Sequence, residues 1–298
     1  MIIDIHAHTS SKPLWGLHTP TADLATIEAL MDKHDVSLVV LMATYFPFKT
    51  STRGGGGTSN ARLAELIKGN PRFKMFGSLD ASQGANLDEG LSDLRARAQT
   101  GSLAGIKLYP GYQDFHPAMP RMFPVYRLAE EYGLPVMFHT GELHHCCPWT
   151  ERQAGHLRCG YPTCQIDQLG HLARPRSLAI VTACFPEVKF VFSHLGNPHF
   201  EEMREVMRTC PNVYTDISGQ FLSGTAEDTP EEHLLLKHEI EKFLALPNGA
   251  DRLMFGTDFP IQSYEDTIAL VDSLDCSIET ETKILRKNAE KLLGITSC

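Results

Sequence analysis

The chain begins with Met1-Ile-Ile-Asp-Ile-His-Ala-His8, and the interpretation of the whole sequence starts from this stretch. Its isoleucines form a β-branched run that is typical of a buried strand. Side chains alternate across a strand, so Asp4, His6 and His8 are expected to share one face. Two imidazoles at this spacing can bind one metal ion at a strand end. With 14 histidines in the chain, roughly one such pair is expected by chance, so further ligands are needed.

Seven further strand-like runs follow, each separated from the next by a helical stretch. The predicted strands lie at 2–8, 37–44, 73–80, 104–110, 134–141, 188–195, 212–218 and 252–258. The predicted helices lie at 21–34, 59–69, 87–100, 122–133, 175–185, 200–210, 230–246, 263–274 and 279–293. Nearly every strand run is apolar on both faces, which predicts a single α/β domain over residues 1–298, a (β/α)8 TIM barrel. An open doubly wound sheet is the alternative, but no Gly-x-Gly-x-x-Gly follows the first strand.

The composition favours an ordinary globular enzyme. Of the 298 residues, 42% are hydrophobic and 21% charged, and the net charge of −9 argues against a nucleic-acid partner. No apolar run reaches the roughly 18 residues that span a membrane. No basic leader precedes the first strand, and the eight cysteines are therefore expected to be reduced. These observations predict a cytoplasmic protein that binds neither membranes nor nucleic acids.

Two connections are unusually long. Residues 45–58 contain Arg53-Gly-Gly-Gly-Gly57, which predicts a loop after the second strand. Residues 142–174 form a Cys/His-rich insertion after the fifth strand, on the barrel face where active sites lie, and are expected to act as a lid. The spacing of the insertion's cysteines favours reduced thiols, with a structural zinc site as the alternative. These cysteines are Cys146, Cys147, Cys159 and Cys164.

Three later strands each end in an ionisable side chain of the metal-ligand type. The fifth ends at His139, the sixth at His194 and the eighth at Asp258, each before a turn signal. In a parallel barrel these ends meet at one rim, where they would join His6 and His8. A catalytic metal needs about three or four such ligands and one open position. The sequence therefore predicts a metal site at that rim.

With these motifs in place, the chain resembles the amidohydrolase superfamily. The resemblance rests on Ile2-Asp-Ile-His-Ala-His8, Phe192-Ser-His-Leu-Gly196 and Phe255-Gly-Thr-Asp-Phe-Pro260. It is closer to the amidohydrolase-related branch, which contains small-ring lactonases and aminocarboxymuconate-semialdehyde and resorcylate decarboxylases. The resemblance implies one divalent metal, most often zinc, with manganese or iron as alternatives. It implies the ligands His6, His8, His139 and Asp258, and makes His194 a catalytic acid, base or electrostatic residue, or a ligand to a second metal.

Physical chemistry suggests further roles for individual residues. Asp258 could act as the general base, and His194 could stabilise a developing oxyanion. Lys107, in Gly105-Ile-Lys-Leu-Tyr-Pro110, is expected to hold a substrate carboxylate, with Tyr109 beside it. The resemblance also implies an alternative for Lys107, a carboxylated lysine that bridges two metals, and a surface lysine is the remaining alternative. Asp4 is expected to be a buried carboxylate satisfied by the backbone or a neighbouring strand.

The leading functional hypothesis is a metal-dependent hydrolase that attacks a lactone, ester or amide in a small anionic substrate. The alternative is metal-dependent, non-oxidative decarboxylation of an unsaturated or aromatic acid, since both reactions use the same ligands. A third hypothesis is a metal-storing protein that uses the Cys/His-rich insertion. Barrels of the family often pair, so a homodimer is expected as one possible assembly.

Overall fold

Eight parallel strands form one sheet in a computed structural model that describes residues 1–10, 17–44, 58–144, 164–226 and 228–295. Each strand pairs with the next one in the chain, in the order β1 to β8. The strands are β1 Ile2–Ala7, β2 Val36–Met42, β3 Phe73–Gly77, β4 Gly105–Leu108, β5 Val136–Phe138, β6 Phe190–Phe192, β7 Val213–Asp216 and β8 Leu253–Met254. All eight predicted strand positions and the predicted (β/α)8 barrel are confirmed.

The barrel closes where the segment after β8 runs beside β1. The backbone N–H of Ile5 donates to the carbonyl of Phe255 at 3.1 Å. The N–H of Asp258 donates to the carbonyl of His6 at 2.7 Å, and that of His8 to Phe259 at 2.7 Å. These bonds bring the amino-terminal histidines and Asp258 to the same seam of the barrel.

Helices cover the outside of the sheet between successive strands. They are α1 Leu24–Lys33, α2 Asn60–Leu66, α3 Leu87–Gln99, α4 Phe123–Tyr132, α5 Gln165–Leu169, α6 Pro175–Cys184, α7 Phe200–Thr209, α8 Pro230–Leu244, α9 Tyr264–Asp272, α10 Ile278–Thr282 and α11 Asn288–Leu293. Several begin at a side-chain cap; the Asp23 carboxylate, for example, accepts from the N–H of Thr26 at 2.9 Å. The helix predicted at 279–293 is interrupted by a π-helical segment, Lys283–Lys287. There the carbonyl of Ile284 accepts from Phe255, next to β8.

Two apolar layers hold the barrel together. The inner layer fills the barrel with side chains such as Ile3, Ile5 and Met137. The outer layer packs the other strand face against the helices and contains Ala7. Because Ile5 and Ala7 belong to different layers, the strict alternation predicted for residues 2–8 does not hold. The pairing register of β1 against β2 shifts between Asp4 and Ala7, which accounts for the difference.

Two of the predicted features lie largely outside the described residues. These are the glycine-rich connection at 45–57 and residues 145–163 of the insertion, with Cys146, Cys147 and Cys159. The end of the insertion is described: it forms α5 and a 3₁₀ turn, Gly170–Ala173, and Cys164 is a half-buried free thiol. None of the helices in the described ranges is long and apolar enough to cross a bilayer.

Candidate active site at the carboxyl-terminal rim

Three of the predicted ligands converge at the barrel seam. The Nε2 atom of His8 lies 3.1 Å from Oδ1 of Asp258, and Nε2 of His6 lies 3.5 Å from the same oxygen. His6 is buried, whereas His8 and Asp258 are partly exposed, with side-chain exposures of 23% and 15%. The cluster therefore extends from the buried barrel interior to the protein surface.

The spacing of these atoms suits a divalent metal ion. Zinc is held at about 2.0–2.1 Å by imidazole nitrogen and carboxylate oxygen, so two ligands at the tetrahedral angle lie about 3.4 Å apart. The separations of 3.1 and 3.5 Å from Asp258 to His8 and His6 agree with this value. All three ligand atoms lie within 4.8 Å of one another. The residues present therefore fit a metal ion at this position.

His139 and His194 form a second pair of imidazoles on the same rim. Nδ1 of His139 lies 3.3 Å from Nε2 of His194, and the two ring centroids are 4.9 Å apart. The other nitrogen of His139, Nε2, lies 2.9 Å from the carbonyl oxygen of Glu142. The His194 ring also lies 5.0 Å from that of His6. The structure thus places His139 beside His194. The His194 ring in turn connects His139 to the His6 cluster.

Two functional candidates were missed in the sequence, Asp216 and Ser218 at the end of β7. Oδ2 of Asp216 lies 3.3 Å from Nδ1 of His6. The hydroxyl oxygen of Ser218 lies 3.0 Å from the same His6 nitrogen and 2.9 Å from Nδ1 of His194. His6, His194 and Asp216 form a further cluster with ligand atoms within 4.8 Å of one another. The sequence contains a signal for Asp216. This residue comes at the end of a strand-like run and shortly before Ser218-Gly219, as His139 and Asp258 come at the ends of theirs.

Lys107 is completely buried in the barrel, which excludes the surface lysine considered from the sequence. Its Nζ donates to the hydroxyl of Ser193 at 2.9 Å and lies 3.3 Å from Nε2 of His6. The ring of Tyr109 lies 5.4 Å from Nζ, and the Tyr109 hydroxyl donates to the carbonyl of Ala43 at 2.8 Å. A cation and an aromatic wall therefore border the histidine cluster.

Burial governs the ionisation of the rim. It lowers the pKa of His6 to about 3, with a further contribution from Lys107, so this imidazole is neutral at pH 7. Burial also lowers the pKa of Lys107 to about 8, against the attraction of Asp216 and Asp258. For Asp258 burial acts in the opposite direction, but His6 and His8 hold its pKa well below the usual range. Neutral imidazole and ionised carboxylate are the forms that bind metals.

Asp4 has the structural role expected from the sequence. Its Oδ1 accepts from the N–H groups of His6 and Thr257 at 3.0 and 3.2 Å, and its Oδ2 accepts from the Thr257 hydroxyl at 2.7 Å. Burial raises the pKa of Asp4 to about 7. The carboxylate thus ties the backbone before Asp258 to that of β1.

A cavity of about 510 Å³ lies at the opposite end of the barrel. Among the residues that line it are Lys74, Lys189 and Leu292, and none of the predicted ligands or substrate contacts borders it. Catalysis at this end would contradict the usual position of active sites in these barrels. The rim around His6 therefore remains the candidate active site.

Comparison with known proteins identifies the family of the chain. The family model described as amidohydrolase matches residues 3–295, almost the whole chain. No curated protein matches the sequence.

Solved structures show the same fold at low sequence identity. An uncharacterised TIM-barrel protein from Bordetella bronchiseptica is 23% identical, with a TM-score of 0.69 and coverage of 99% of this chain and 98% of that one. A probable 2-pyrone-4,6-dicarboxylic acid hydrolase from Acinetobacter baumannii, with bound citric acid, is 17% identical (TM-score 0.64, coverage 98% and 99%). A dihydroxybenzoic acid decarboxylase from Polaromonas sp. JS666, with bound manganese and 2-nitroresorcinol, is also 17% identical (TM-score 0.66, coverage 100% and 98%). On the evidence of the family model, the chain belongs to the amidohydrolase family and is an enzyme of that superfamily.

Proposed function

We propose that the protein is a metal-dependent hydrolase that cleaves a lactone, ester or amide bond in a small anionic substrate. The observation that carries this proposal is the convergence of His6 Nε2, His8 Nε2 and Asp258 Oδ1 next to the buried Lys107. The two histidine nitrogens and the Asp258 oxygen supply a metal site open to the surface. The Lys107 ammonium group supplies a positive charge for the substrate. Amidohydrolases depend on divalent metals, and a structural neighbour holds manganese.

The proposed ligands are His6, His8, His139 and Asp258, with zinc as the proposed metal. A divalent ion held there supplies Lewis acidity, which lowers the pKa of water from near 15.7 toward ~7 and polarises a carbonyl group. The neutral imidazole of His6 and the ionised carboxylate of Asp258 are already in the forms this requires. His139 presents its Nδ1 atom toward His194, on the side away from the Glu142 carbonyl.

Asp258 is proposed to carry the proton from water to the leaving group. Its Oδ1 faces the two amino-terminal histidines, while Oδ2 lies on the Gly219 side, 2.9 Å from the position of an ideal Cβ on Gly219. A carboxylate with one oxygen outside the ligand cluster can accept a proton there without leaving the site. The partial exposure of Asp258, 15% of its side chain, lets water and substrate reach it.

His194 is proposed to stabilise the charge that develops on the substrate carbonyl oxygen, donating from Nε2 after that nitrogen has taken up a proton. Its backbone N–H is fixed by Oδ1 of Asp216 at 3.0 Å, and its ring is held between Ser218 and His139. A donor fixed before the reaction loses little energy in reorganisation, which is why such groups are effective in catalysis. His194 would therefore act from a fixed position.

Lys107 is proposed to bind the substrate anion, with the Tyr109 ring as the adjoining wall. Ser193 takes one N–H of the ammonium group and itself donates to the carbonyl of Phe138 at 2.7 Å. Of the two remaining N–H groups, one is within reach of Nε2 of His6, 3.3 Å from the Lys107 nitrogen. A charge-assisted hydrogen bond to a carboxylate is about twice as strong as a neutral one.

Product analysis distinguishes hydrolysis from decarboxylation. We expect purified enzyme, supplied with zinc or manganese, to open an anionic lactone in a panel of lactones and hydroxybenzoate-type acids. In ¹⁸O-labelled water, mass spectrometry of the product should show one added oxygen label per turnover. Release of carbon dioxide from a hydroxybenzoate, without uptake of the label, would contradict the hydrolase proposal and establish the decarboxylase alternative, the activity of a structural neighbour.

Replacing Lys107 tests the proposed anion contact. In Lys107→Met the side chain keeps a similar length but loses its charge, so the KM for an anionic substrate should rise roughly 10- to 100-fold, the loss of a hydrogen bond to a charged group. The KM for a neutral ester of the same acid should change less than about threefold, because no charge is paired.

Lys74→Met is the matched control, since Lys74 borders the cavity at the other end of the barrel. Steady-state kinetics of both variants on both substrates gives the comparison. Equal changes in KM for the anionic and the neutral substrate would exclude anion binding by Lys107.

A further inference from the structure

The buried hydroxyl of Ser218 lies between two imidazole rings, with Asp216 behind it. Ser218 and Asp216 have no exposed surface, and His6 and His194 are almost completely buried. The Ser218 oxygen contacts Nδ1 of both histidines, at 3.0 Å from His6 and 2.9 Å from His194. We propose that Asp216 and Ser218 are positioning residues that hold His6 and His194 in the Nδ1-protonated tautomer, with both Nε2 lone pairs directed to the metal centre.

The hydrogen-bond partners fix the direction of each proton. Oδ1 of Asp216 accepts the N–H groups of His194 and Ser218 at 3.0 and 3.2 Å, so this carboxylate is an acceptor. The Ser218 hydroxyl lies 2.5 Å from the same oxygen and must donate to it. With its only proton used, the Ser218 oxygen can only accept from His6 and His194.

Two further acceptors support the same assignment. Nδ1 of His194 lies 3.0 Å from the carbonyl oxygen of Ser218, which cannot donate. Nδ1 of His6 lies 3.3 Å from Oδ2 of Asp216. Both nitrogens therefore carry the proton, and in each neutral ring the lone pair is on Nε2.

The third imidazole, His139, is held in the opposite tautomer, with its proton on Nε2. Nε2 of His139 lies 2.9 Å from the carbonyl of Glu142 and must carry its proton, which leaves a lone pair on Nδ1. This lone pair and that of His194 Nε2 face each other across 3.3 Å. Two acceptors this close need a shared cation, so the polar network prepares His139 and His194, as well as His6, to bind a positive charge.

The consequence for metal binding rests on the proposed metal centre, but the tautomers do not. They can be measured by ¹⁵N NMR of histidine-labelled protein dialysed against a chelator. We expect Nδ1–H for His6 and His194 and Nε2–H for His139 in the wild type. An Nε2–H tautomer at His6 or His194 in the wild type would overturn the inference, whatever reaction the enzyme catalyses.

Asp216→Asn tests the mechanism directly. The amide oxygen should keep the Oδ1 position, where two N–H groups and a hydroxyl donate, so the NH2 group replaces Oδ2 and faces Nδ1 of His6. His6 should change to the Nε2–H tautomer, and the affinity for Zn²⁺ measured by titration calorimetry should fall roughly 10- to 100-fold. Ser218→Ala should weaken Zn²⁺ binding less, because the carbonyl of residue 218 still accepts from His194.

Asp228→Asn is the matched control. The Asp228 carboxylate also lies against an imidazole, with Oδ1 2.7 Å from Nε2 of His233, and its Oδ2 accepts the N–H of Gly224 at 2.7 Å, but it lies outside the rim cluster. The control should keep the wild-type tautomers of the rim histidines and bind Zn²⁺ within about threefold of the wild type. Loss of Zn²⁺ affinity in Asp216→Asn with an unchanged His6 tautomer, or equal losses in both variants, would contradict the positioning role.

Discussion

Asp258→Asn is expected to reduce kcat/KM by roughly 10²–10⁴-fold, the contribution of a general base, and to lower the bound metal per chain at the same time. The amide keeps the shape of the side chain but neither carries the negative charge of the carboxylate beside His6 and His8 nor accepts a proton. The backbone of Asp258 is left-handed, with φ of 52°, a conformation that asparagine adopts readily. The variant should therefore fold, so that lost activity reports the lost chemistry.

The measurement is steady-state kinetics together with metal analysis of the purified protein. Asp228→Asn provides the control, because it breaks another close Asp–His pair, 2.7 Å from His233, outside the rim cluster. This control should keep its metal content and its activity. Wild-type metal content and rate in Asp258→Asn would remove Asp258 from both proposed roles.

Gly219→Ala should also cause a large fall in kcat/KM, because it places a methyl group against two site residues. An ideal Cβ at this position would lie 2.8 Å from Nδ1 of His194 and 2.9 Å from Oδ2 of Asp258. These side chains must move, and a displacement of about 1 Å can cost roughly 10²-fold in rate. The φ of +59° adds backbone strain of about 1–2 kcal/mol.

Gly69→Ala separates the backbone strain from the steric contact. Gly69 has a similar φ of +76°, but no atom of the described residues lies within 4 Å of its ideal Cβ. Urea denaturation should show that both substitutions lower the free energy of unfolding, while kcat/KM should fall only in Gly219→Ala. A similar fall in both variants would mean that general destabilisation, not displacement of His194 and Asp258, reduces the rate.

Much of the rim could be predicted because parallel strands place their carboxyl ends at one face. The rule needs only the strand positions and the last ionisable side chain of each, which identified His139, His194 and Asp258. The same rule applied to the seventh strand would have found Asp216. The depth of Lys107 was harder to predict, since a lysine near a strand end can either extend to solvent or turn inward.

Other details depend on contacts that a linear pattern does not contain. The shift in register of β1 is set by its pairing with β2, and it separates Ile5 from Ala7 although they are two residues apart. The interruption of the last helix at Lys283–Lys287 coincides with a bond from Phe255 to Ile284. The tautomers of His6 and His194 depend on Ser218, which lies 212 positions after His6 and 24 after His194, and no spacing rule reveals this.

The seam of the barrel has a consequence for biosynthesis. His6 and His8 leave the ribosome well before Asp258, which follows about 250 residues later, after seven further strands have been made. A nascent chain would therefore contain only part of the proposed ligand set and would hold a divalent ion weakly until the eighth strand docks. An ion captured at that moment would fasten the first strand to the last, so metal supply would favour completed barrels over partly folded chains and protect them from proteolysis.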